Sequence, residues 1–305
     1  MRKWYIADLL LLFVAFIWGA TFVMVRDAVT VLQPFTFNWL RFLLAGLFLL
    51  AWMFFFQKRE IKQINRSMVF SGMIMGAWLF AGYALQTYGL EYTTPSKAGF
   101  LTGLYVVLVP LLTLLILRQK PSFAALTGVG SSVIGLFLLT AGGESGVNIG
   151  DLFEFLCAIA FAMHIVFTGK YASQFPAIAL TFIQISTVAV LNGIAAIFFE
   201  NWKLAFSPAV IGSSVWFALL FTSLLATVVA YLSQTALQKH TAPTHVALIF
   251  TMEPVFAALT SYLWINETLG TAAYFGCLFI FIGMILAEFP FQTFFRKALV
   301  RKKAG

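Results

Sequence analysis

Two side chains of opposite charge, Arg41 and Glu253, stand inside long apolar stretches of this sequence. A charge in such surroundings is costly and usually marks a binding site or an ion pathway. Glu253 could carry a proton or pair with a cation, and Arg41 could be its partner. Arg41 could equally extend to the outer lipid headgroups or bind backbone carbonyl groups. The sequence therefore leaves both a proton-coupling or charge-pairing role and a structural role open for these two residues.

A polar pattern on one helical face occurs twice. Tyr83 precedes Gln86 by three residues, and Tyr231 precedes Gln234 by the same distance. Residues three apart lie on the same face of a helix, so two helices carry the same polar stripe. If these helices face each other, the stripes line a substrate-binding cavity with hydrogen-bonding groups and aromatic walls.

Other polar and aromatic residues are candidates for the same cavity. Trp18, Trp78 and Tyr105 would add aromatic surface suited to the apolar part of a small organic solute. His164 could bind substrate or relay a proton, or it could simply be hydrogen-bonded within a helix bundle. Aromatic residues make up 17% of the chain, so most of them are expected to face lipid or other helices. Four acidic residues near the ends of apolar stretches are expected to lie at the membrane surface, where they reach water or act near helix N-termini: Asp8, Asp151, Glu154 and Glu288.

Membrane-spanning helices are the elements that must position these residues. Hydrophobic residues make up 61% of the chain and charged residues 10%, whereas a soluble domain is roughly 25% charged. Barrel strands would alternate apolar and polar residues, but residues 43–56 and 275–286 are apolar on all sides. The predicted fold class is an all-α membrane protein with ten transmembrane helices. Their apolar runs, about 20 residues each as a bilayer requires, cover approximately 6–25, 35–56, 68–89, 96–117, 123–141, 151–169, 178–199, 210–236, 244–265 and 271–289.

The second half of the chain repeats the first. Each half has five spans, an odd number, so the second half must enter the membrane from the opposite face. We therefore predict two inverted five-helix repeats, residues 6–141 and 151–289, followed by a basic cytoplasmic tail at 290–305. Inverted repeats typically place a substrate site at the interface between the halves, open alternately to each side. Shifts of 148 and 143 residues give the matches, which include Tyr83 with Tyr231, Gln86 with Gln234, Gly128 with Gly276, Gly135 with Gly283 and Asp8 with Asp151.

The net charge of +8 is explained by membrane topology rather than by a nucleic-acid partner. With the N-terminus inside, the Lys and Arg residues gather in the inner segments, as the positive-inside rule requires. The outer segments hold three of the 19 Lys and Arg residues, Arg26, Lys97 and Lys203. Both termini are predicted to be cytoplasmic, in a multi-pass plasma-membrane protein. The aromatic and basic stretch 294–303 is expected to rest on anionic lipid headgroups.

No motif for catalysis or for binding a metal or cofactor occurs in the sequence. The glycine-rich stretch 141–146 lacks the lysine and hydroxyl residue of a phosphate-binding loop, and no zinc-binding helix or nucleophile elbow is present. Cys157 and Cys277 are predicted to be small packing residues without a disulfide, redox or metal role. We therefore expect no enzyme activity, no cofactor and no direct use of ATP.

Proline and glycine indicate where helices bend or approach one another. Pro110 and Pro254 each remove a backbone donor and should kink their spans. The carbonyl groups freed there could face a wet cavity, or the bends could serve packing alone. Two glycine pairs have the spacing that lets helix backbones approach closely, namely Gly72 with Gly76 and Gly99 with Gly103.

Several short motifs are distributed over both halves: Trp18-Gly19 with Phe22, Arg41-Phe42, residues 93–98, Glu253-Pro254, and Asn266-Glu267 ahead of Gly276 and Gly283. Together they resemble the EamA-type drug/metabolite transporters over nearly the whole chain, as two tandem domains. The resemblance implies a ten-helix fold with both termini cytoplasmic and a central cavity lined by both halves. It also implies an exporter or exchanger of metabolites, often amino acids. The usual glycine before the Glu267-type residue is Asn266 here.

The resulting hypothesis is a secondary transporter of small organic metabolites that works by alternating access, with Glu253 as the proton-coupling or substrate-pairing group. The alternative is a membrane scaffold or lipid-interacting assembly factor without a transport cycle, in which the repeats serve packing only. A nonselective channel is a third interpretation. The sequence leaves the substrate, the direction of transport, the coupling ion and the oligomeric state open.

Overall fold

The computed structural model of this chain describes residues 2–29, 31–92, 95–139, 148–207, 215–265 and 270–288. Within these ranges all regular structure is helical, which confirms the all-α prediction. Helices are expected here because lipid offers no hydrogen bonds to the backbone. Seven helical stretches are long and apolar enough to cross a membrane, and three shorter apolar helices accompany them among the described residues. The tail at 290–305 lies outside those residues.

The first half begins with the long helix α1 and ends with α7. Its helices are α1 (Arg2–Val29), α2 (Pro34–Phe56), a short α3 (Lys58–Gln63), α4 (Arg66–Tyr92), α5 (Pro95–Gly103), α6 (Tyr105–Leu112) and α7 (Phe123–Leu139). A π-helical turn at Thr113–Leu117 extends α6.

The second half has the same succession of long helices. Its helices are α8 (Ile149–Tyr171), α9 (Ala177–Phe199), α10 (Val215–Phe221), α11 (Ala230–Gln238), α12 (Pro243–Phe250), α13 (Met252–Ile265) and α14 (Thr271–Glu288). A π-helical segment, Thr222–Val229, joins α10 to α11, and a 3-10 turn at Trp202–Phe206 follows α9.

Helices of the two halves pack against each other throughout. The main pairs are α1 with α13, α2 with α9, α4 with α8 and α9, and α7 with α14. Gly72 and Gly76 let α4 approach α9, because a Cβ at either position would meet that helix at 2.6 Å. This confirms one predicted close-packing pair. In the other pair, Gly103 packs against Leu136, but Gly99 faces open space.

A carboxylate from the second half caps the N-terminus of α2. Glu200, at the end of α9, accepts hydrogen bonds from the backbone N–H groups of Phe35 and Thr36 at 2.8 and 2.7 Å. The Thr36 hydroxyl donates to the same carboxylate at 2.8 Å. An acid at this place satisfies free N–H groups and complements the positive end of the helix dipole, so it fixes α2 against α9.

The fourth and ninth predicted spans are each interrupted near the middle. Leu104 separates α5 from α6, and Thr251 separates α12 from α13. Pro254 lies three residues after the second break, in the first turn of α13, where a residue without a backbone N–H is tolerated. Pro110 lies inside α6, so the first interruption precedes it by more than one turn. The breaks occupy nearly equivalent positions of the two halves.

Glycines bring α7 and α14 into backbone contact. A Cβ on Gly128 would meet the Gly283 carbonyl oxygen at 2.5 Å, and a Cβ on Gly135 would meet the Gly276 carbonyl oxygen at 2.7 Å. Because Gly276 and Gly283 are the repeat counterparts of Gly128 and Gly135, the crossing is reciprocal. Contacts of this kind occur about a twofold axis.

Replacing Gly135 with leucine should destabilise the protein, because the larger side chain overpacks the α7–α14 contact at a cost of about 1–3 kcal/mol. The thermal unfolding midpoint of the purified protein in detergent measures the effect. Gly130→Leu is the matched control, since it lies on the same helix and a Cβ there meets nothing within 4 Å. Equal unfolding midpoints for the two variants would contradict the packing role.

Candidate functional site

A cavity of about 330 Å³ lies between the two halves. Its walls come from α1, α2, α4, α5, α6, α8, α11, α12 and α13. Trp78 does not line it, because this residue lies on a different face of α4 from its neighbour Leu79, which does. The other nine polar, charged and aromatic residues that the sequence predicted for a site come together around the cavity: Trp18, Arg41, Tyr83, Gln86, Tyr105, His164, Tyr231, Gln234 and Glu253.

Repeat counterparts face one another across this cavity. The Tyr83 and Tyr231 hydroxyl groups are hydrogen-bonded to each other at 2.8 Å. A residue and its own counterpart can meet in this way only close to an axis that relates the halves. The contact places α4 and α11 face to face, as the two polar stripes predicted.

Six pairs of repeat counterparts contribute to the same wall. The two halves contribute residues from equivalent positions to the wall. In most pairs the two side chains are of different types, so the two sides of the cavity differ chemically. They are Trp18 with Phe161, Thr21 with His164, Tyr83 with Tyr231, Gln86 with Gln234, Thr102 with Phe250, and Tyr105 with Glu253.

Arg41 is held by the π-helical segment before α11. Its side chain is buried, and Nε donates to Thr227 Oγ1 at 2.8 Å while Nη2 donates to the Ala226 carbonyl oxygen at 3.1 Å. The indole Nε1 of Trp18 donates to the same carbonyl oxygen at 2.9 Å. The guanidinium carbon also lies 5.5 Å from the centre of the Tyr83 ring, within cation–π range. Arg41 therefore binds a carbonyl group inside the protein, one of the roles left open by the sequence.

Glu253 lies on the opposite half of the site, at the start of α13. It is half-buried and lines the cavity together with Arg41. Among the described residues, no ion pair joins these two side chains. Elsewhere, His245 Nε2 lies 3.1 Å from Asp8 Oδ1. A guanidinium group and a carboxyl group thus face one cavity without direct contact between them.

His164 belongs to a buried hydrogen-bonded chain. Its Nε2 lies 3.0 Å from Gln184 Oε1, and the Gln184 amide donates to Thr235 Oγ1 at 3.0 Å. The imidazole also packs edge-on against the Tyr231 ring, with centroids 5.8 Å apart. His164 is therefore both hydrogen-bonded within the bundle and part of the cavity wall.

Gln234 has an unused acceptor. Its amide Nε2 donates to Gln238 Oε1 at 3.3 Å, while its own buried Oε1 has no hydrogen-bond partner. Buried polar atoms are nearly always paired. The Gln234 side-chain oxygen is an exception, and it is covered by protein in this conformation.

The cavity reaches toward one end of the helix bundle, and direct contacts between helices lie toward the other. From its centre it extends to Val29 and Pro34, at the connection between α1 and α2. At the opposite end, the contact between Asp8 and His245 joins α1 to α12. There α11 also meets α8, since Gln238 Nε2 donates to the Ile165 carbonyl oxygen at 2.6 Å.

Sequence reasoning missed several wall residues. Asn38, Thr102 and Phe161 line the cavity, and each precedes a predicted site residue by three positions. Residues three apart share a helix face. A search for polar and aromatic residues one helical turn before or after each predicted site residue would have found all three.

Glu154 was wrongly expected at the membrane surface. The structure buries it completely, and its Oε2 accepts a hydrogen bond from Thr102 Oγ1 at 2.7 Å. Neighbouring Asp151 is buried too, but it forms a capping box with Asn148 at the start of α8, which is the role near a helix N-terminus that the sequence allowed for it. The surface expectation failed because α5 packs over the beginning of α8. Cys157 is buried and Cys277 partly so, as packing residues would be.

Residues 5–141 and residues 148–289 each match the EamA-like transporter family. Curated relatives carry transporter names. An uncharacterized transporter of Archaeoglobus fulgidus is 34% identical over 92% of this chain and 85% of its own length. A second one from the same organism is 27% identical over 85% of this chain and 89% of its own length. The uncharacterized transporter YyaM of Bacillus subtilis is 23% identical over 88% of this chain and 89% of its own length.

A crystal structure of similar fold aligns with a TM-score of 0.76 and 19% sequence identity, covering 92% of this chain and 96% of the other. At this identity the match concerns the fold alone. It shows that the helical arrangement around the cavity occurs in another protein of comparable size.

Proposed function

Because this chain belongs to the EamA-like transporter family, we propose that it is a secondary transporter of small organic metabolites such as amino acids, acting as an exporter or exchanger. It is a multi-pass membrane transporter with ten spans arranged as two inverted repeats. The observation that carries this proposal is the cavity whose wall is built from counterpart residues of both halves.

The shape of the cavity supports alternating access. It reaches the α1–α2 connection at one end, and in this proposal the contact of Asp8 with His245 closes the path at the other. In inverted repeats each half can adopt the conformation of its partner. Exchanging the two conformations would open the shut end and close the open one.

The charges of the cavity suit a zwitterionic solute. Arg41 can bind a carboxylate, and Glu253 can pair with an ammonium group or carry the coupling proton. Tyr83, Tyr105 and Tyr231 offer aromatic surface to the apolar part of the solute. An amino acid has these three components.

The orientation follows from the distribution of Lys and Arg. Both termini and the basic tail at 290–305 are cytoplasmic in this proposal, and the protein resides in the plasma membrane. The end of the cavity at the α1–α2 connection then faces outward. The structure is thus assigned to the outward-open state.

Counterflow in proteoliposomes tests the proposal. The purified protein should exchange at least one labelled compound from a panel of amino acids and small metabolites, with saturation as its concentration rises. A nonselective channel would give flux without saturation. Folded protein that exchanges no compound of a broad panel would speak against the transporter and for the scaffold alternative.

A cysteine at Gln86 should react with a membrane-impermeant thiol reagent from outside, because this half-buried residue lines the open cavity. Its counterpart Gln234 is only 1% exposed. A transported substrate should lower the labelling of Gln86→Cys and raise that of Gln234→Cys from inside. Opposite changes are expected because the two halves exchange conformations.

The labelling experiment has an internal control. Cys277 is replaced by alanine in all variants, whereas the fully buried Cys157 is kept and should stay unlabelled. Constant labelling at both introduced cysteines, in the presence of a compound that the wild type exchanges, would contradict the conformational cycle.

A further inference from the structure

A second carboxyl group lies behind the cavity wall, at Glu154 on α8. Its side chain is fully buried, and its Oε1 has no hydrogen-bond partner. Gly89 on α4 leaves space for this carboxyl group, since a Cβ at Gly89 would lie 2.5 Å from Oε1. The packing of α4 and α8 therefore accommodates an acid where an apolar residue would be expected.

No cation balances Glu154 among the described residues. Its hydrogen bond from Thr102 is neutral, Asp151 lies one turn earlier on the same helix, and Cys157 lies one turn later. A buried carboxylate without a cation is strongly disfavoured. The group is therefore stable here as the neutral acid, and it can become a carboxylate only when water or a counter-charge reaches it.

Thr102 connects Glu154 to the cavity. The Thr102 side chain lines the cavity wall, and its hydroxyl lies 2.7 Å from Glu154 Oε2. A hydroxyl group is both a donor and an acceptor. A single hydrogen bond thus connects the buried acid to a residue of the cavity wall.

We propose that Glu154 is a proton-binding site of the transport cycle, distinct from Glu253, and that Thr102 passes the proton between Glu154 and cavity water. This inference rests on the proposed transport function and names a further residue of its mechanism. It assigns the coupling ion as a proton.

The transfer conserves the Thr102 hydroxyl. In the observed geometry the Thr102 hydroxyl donates to Oε2, so release of the proton begins when this hydroxyl turns to donate to a cavity water and accepts a hydrogen bond from Oε2–H. Oε2–H then gives its hydrogen to Thr102 Oγ1 while the original hydroxyl hydrogen moves to the water. Thr102 ends as a neutral hydroxyl, Glu154 as a carboxylate, and the water carries the proton to the bulk. Reversal of these steps reloads the acid.

Infrared difference spectra of reconstituted protein at two pH values test proton binding without any substrate. Each carboxyl group that changes protonation contributes a carbonyl stretch of its acid form. Glu154→Gln should remove one such band, Thr102→Val should shift that band by removing its hydrogen bond, and Thr102→Ser should restore it. Glu60→Gln, outside the cavity, is the matched control and should leave this band in place.

Transport provides the second readout. With any compound that the wild type exchanges, Glu154→Gln should lose the response of accumulation to an imposed pH gradient. A spectrum unchanged by Glu154→Gln, or a gradient response that survives it, would overturn the proposal. Absence of exchange in the wild type would refute the transport function instead, and the infrared result would still decide whether Glu154 binds a proton.

Discussion

Arg41→Met should strongly reduce substrate exchange. The guanidinium group has five N–H donors, and the structure uses two of them, toward Thr227 and Ala226. The remaining donors and the buried positive charge are free to bind an anionic group. Removing one partner of a buried charge pair costs about 2–5 kcal/mol, so kcat/KM should fall roughly thirty- to several-thousand-fold.

Initial rates of counterflow in proteoliposomes measure this loss. Lys120→Met removes an exposed cation outside the cavity and is the matched control. Arg41→Lys separates charge from geometry, because an ammonium group cannot reproduce the two directed bonds of the guanidinium group. A rate within about twofold of wild type for Arg41→Met would be inconsistent with the 2–5 kcal/mol expected for a lost charge pair.

Glu253→Gln should abolish transport driven by a pH gradient. The amide has the shape of the carboxyl group but can neither carry the coupling proton nor pair with a cation. Uptake into proteoliposomes with an imposed pH gradient measures the effect, and Glu60→Gln serves as the control. An unchanged dependence on the gradient would remove the coupling role of Glu253.

Exchange without a gradient separates the two roles of Glu253. If Glu253 pairs with an ammonium group of the substrate, Glu253→Gln should also stop counterflow, whereas a pure coupling residue should leave counterflow in place. Glu154 does not line the cavity, so its replacement should affect the gradient response first. The two carboxyl groups can therefore be distinguished by the same pair of assays.

Composition and pattern were sufficient for the helical fold. Segments such as 35–56 and 178–199 are apolar over the width of a bilayer and coincide closely with α2 and α9, because the backbone in lipid must form its hydrogen bonds within the segment. The internal repeat could also be recognised from the sequence. Matched residues such as Tyr83 and Tyr231 keep their spacing along equivalent helices, and spacing along a helix determines its faces.

Distances between helices could not be read in this way. Whether Arg41 reaches Glu253 or a backbone carbonyl depends on how α2, α11 and α13 pack, and the structure places Arg41 on the Ala226 carbonyl. Burial of Glu154 could not be predicted for the same reason. Its position near the start of α8 suggested the membrane surface, but α4 and α5 pack over it. The linear order of residues determined which side chains share a face of one helix. Burial, partners and the cavity arose from contacts between segments far apart in the chain, and such contacts exist only once the two halves have packed together.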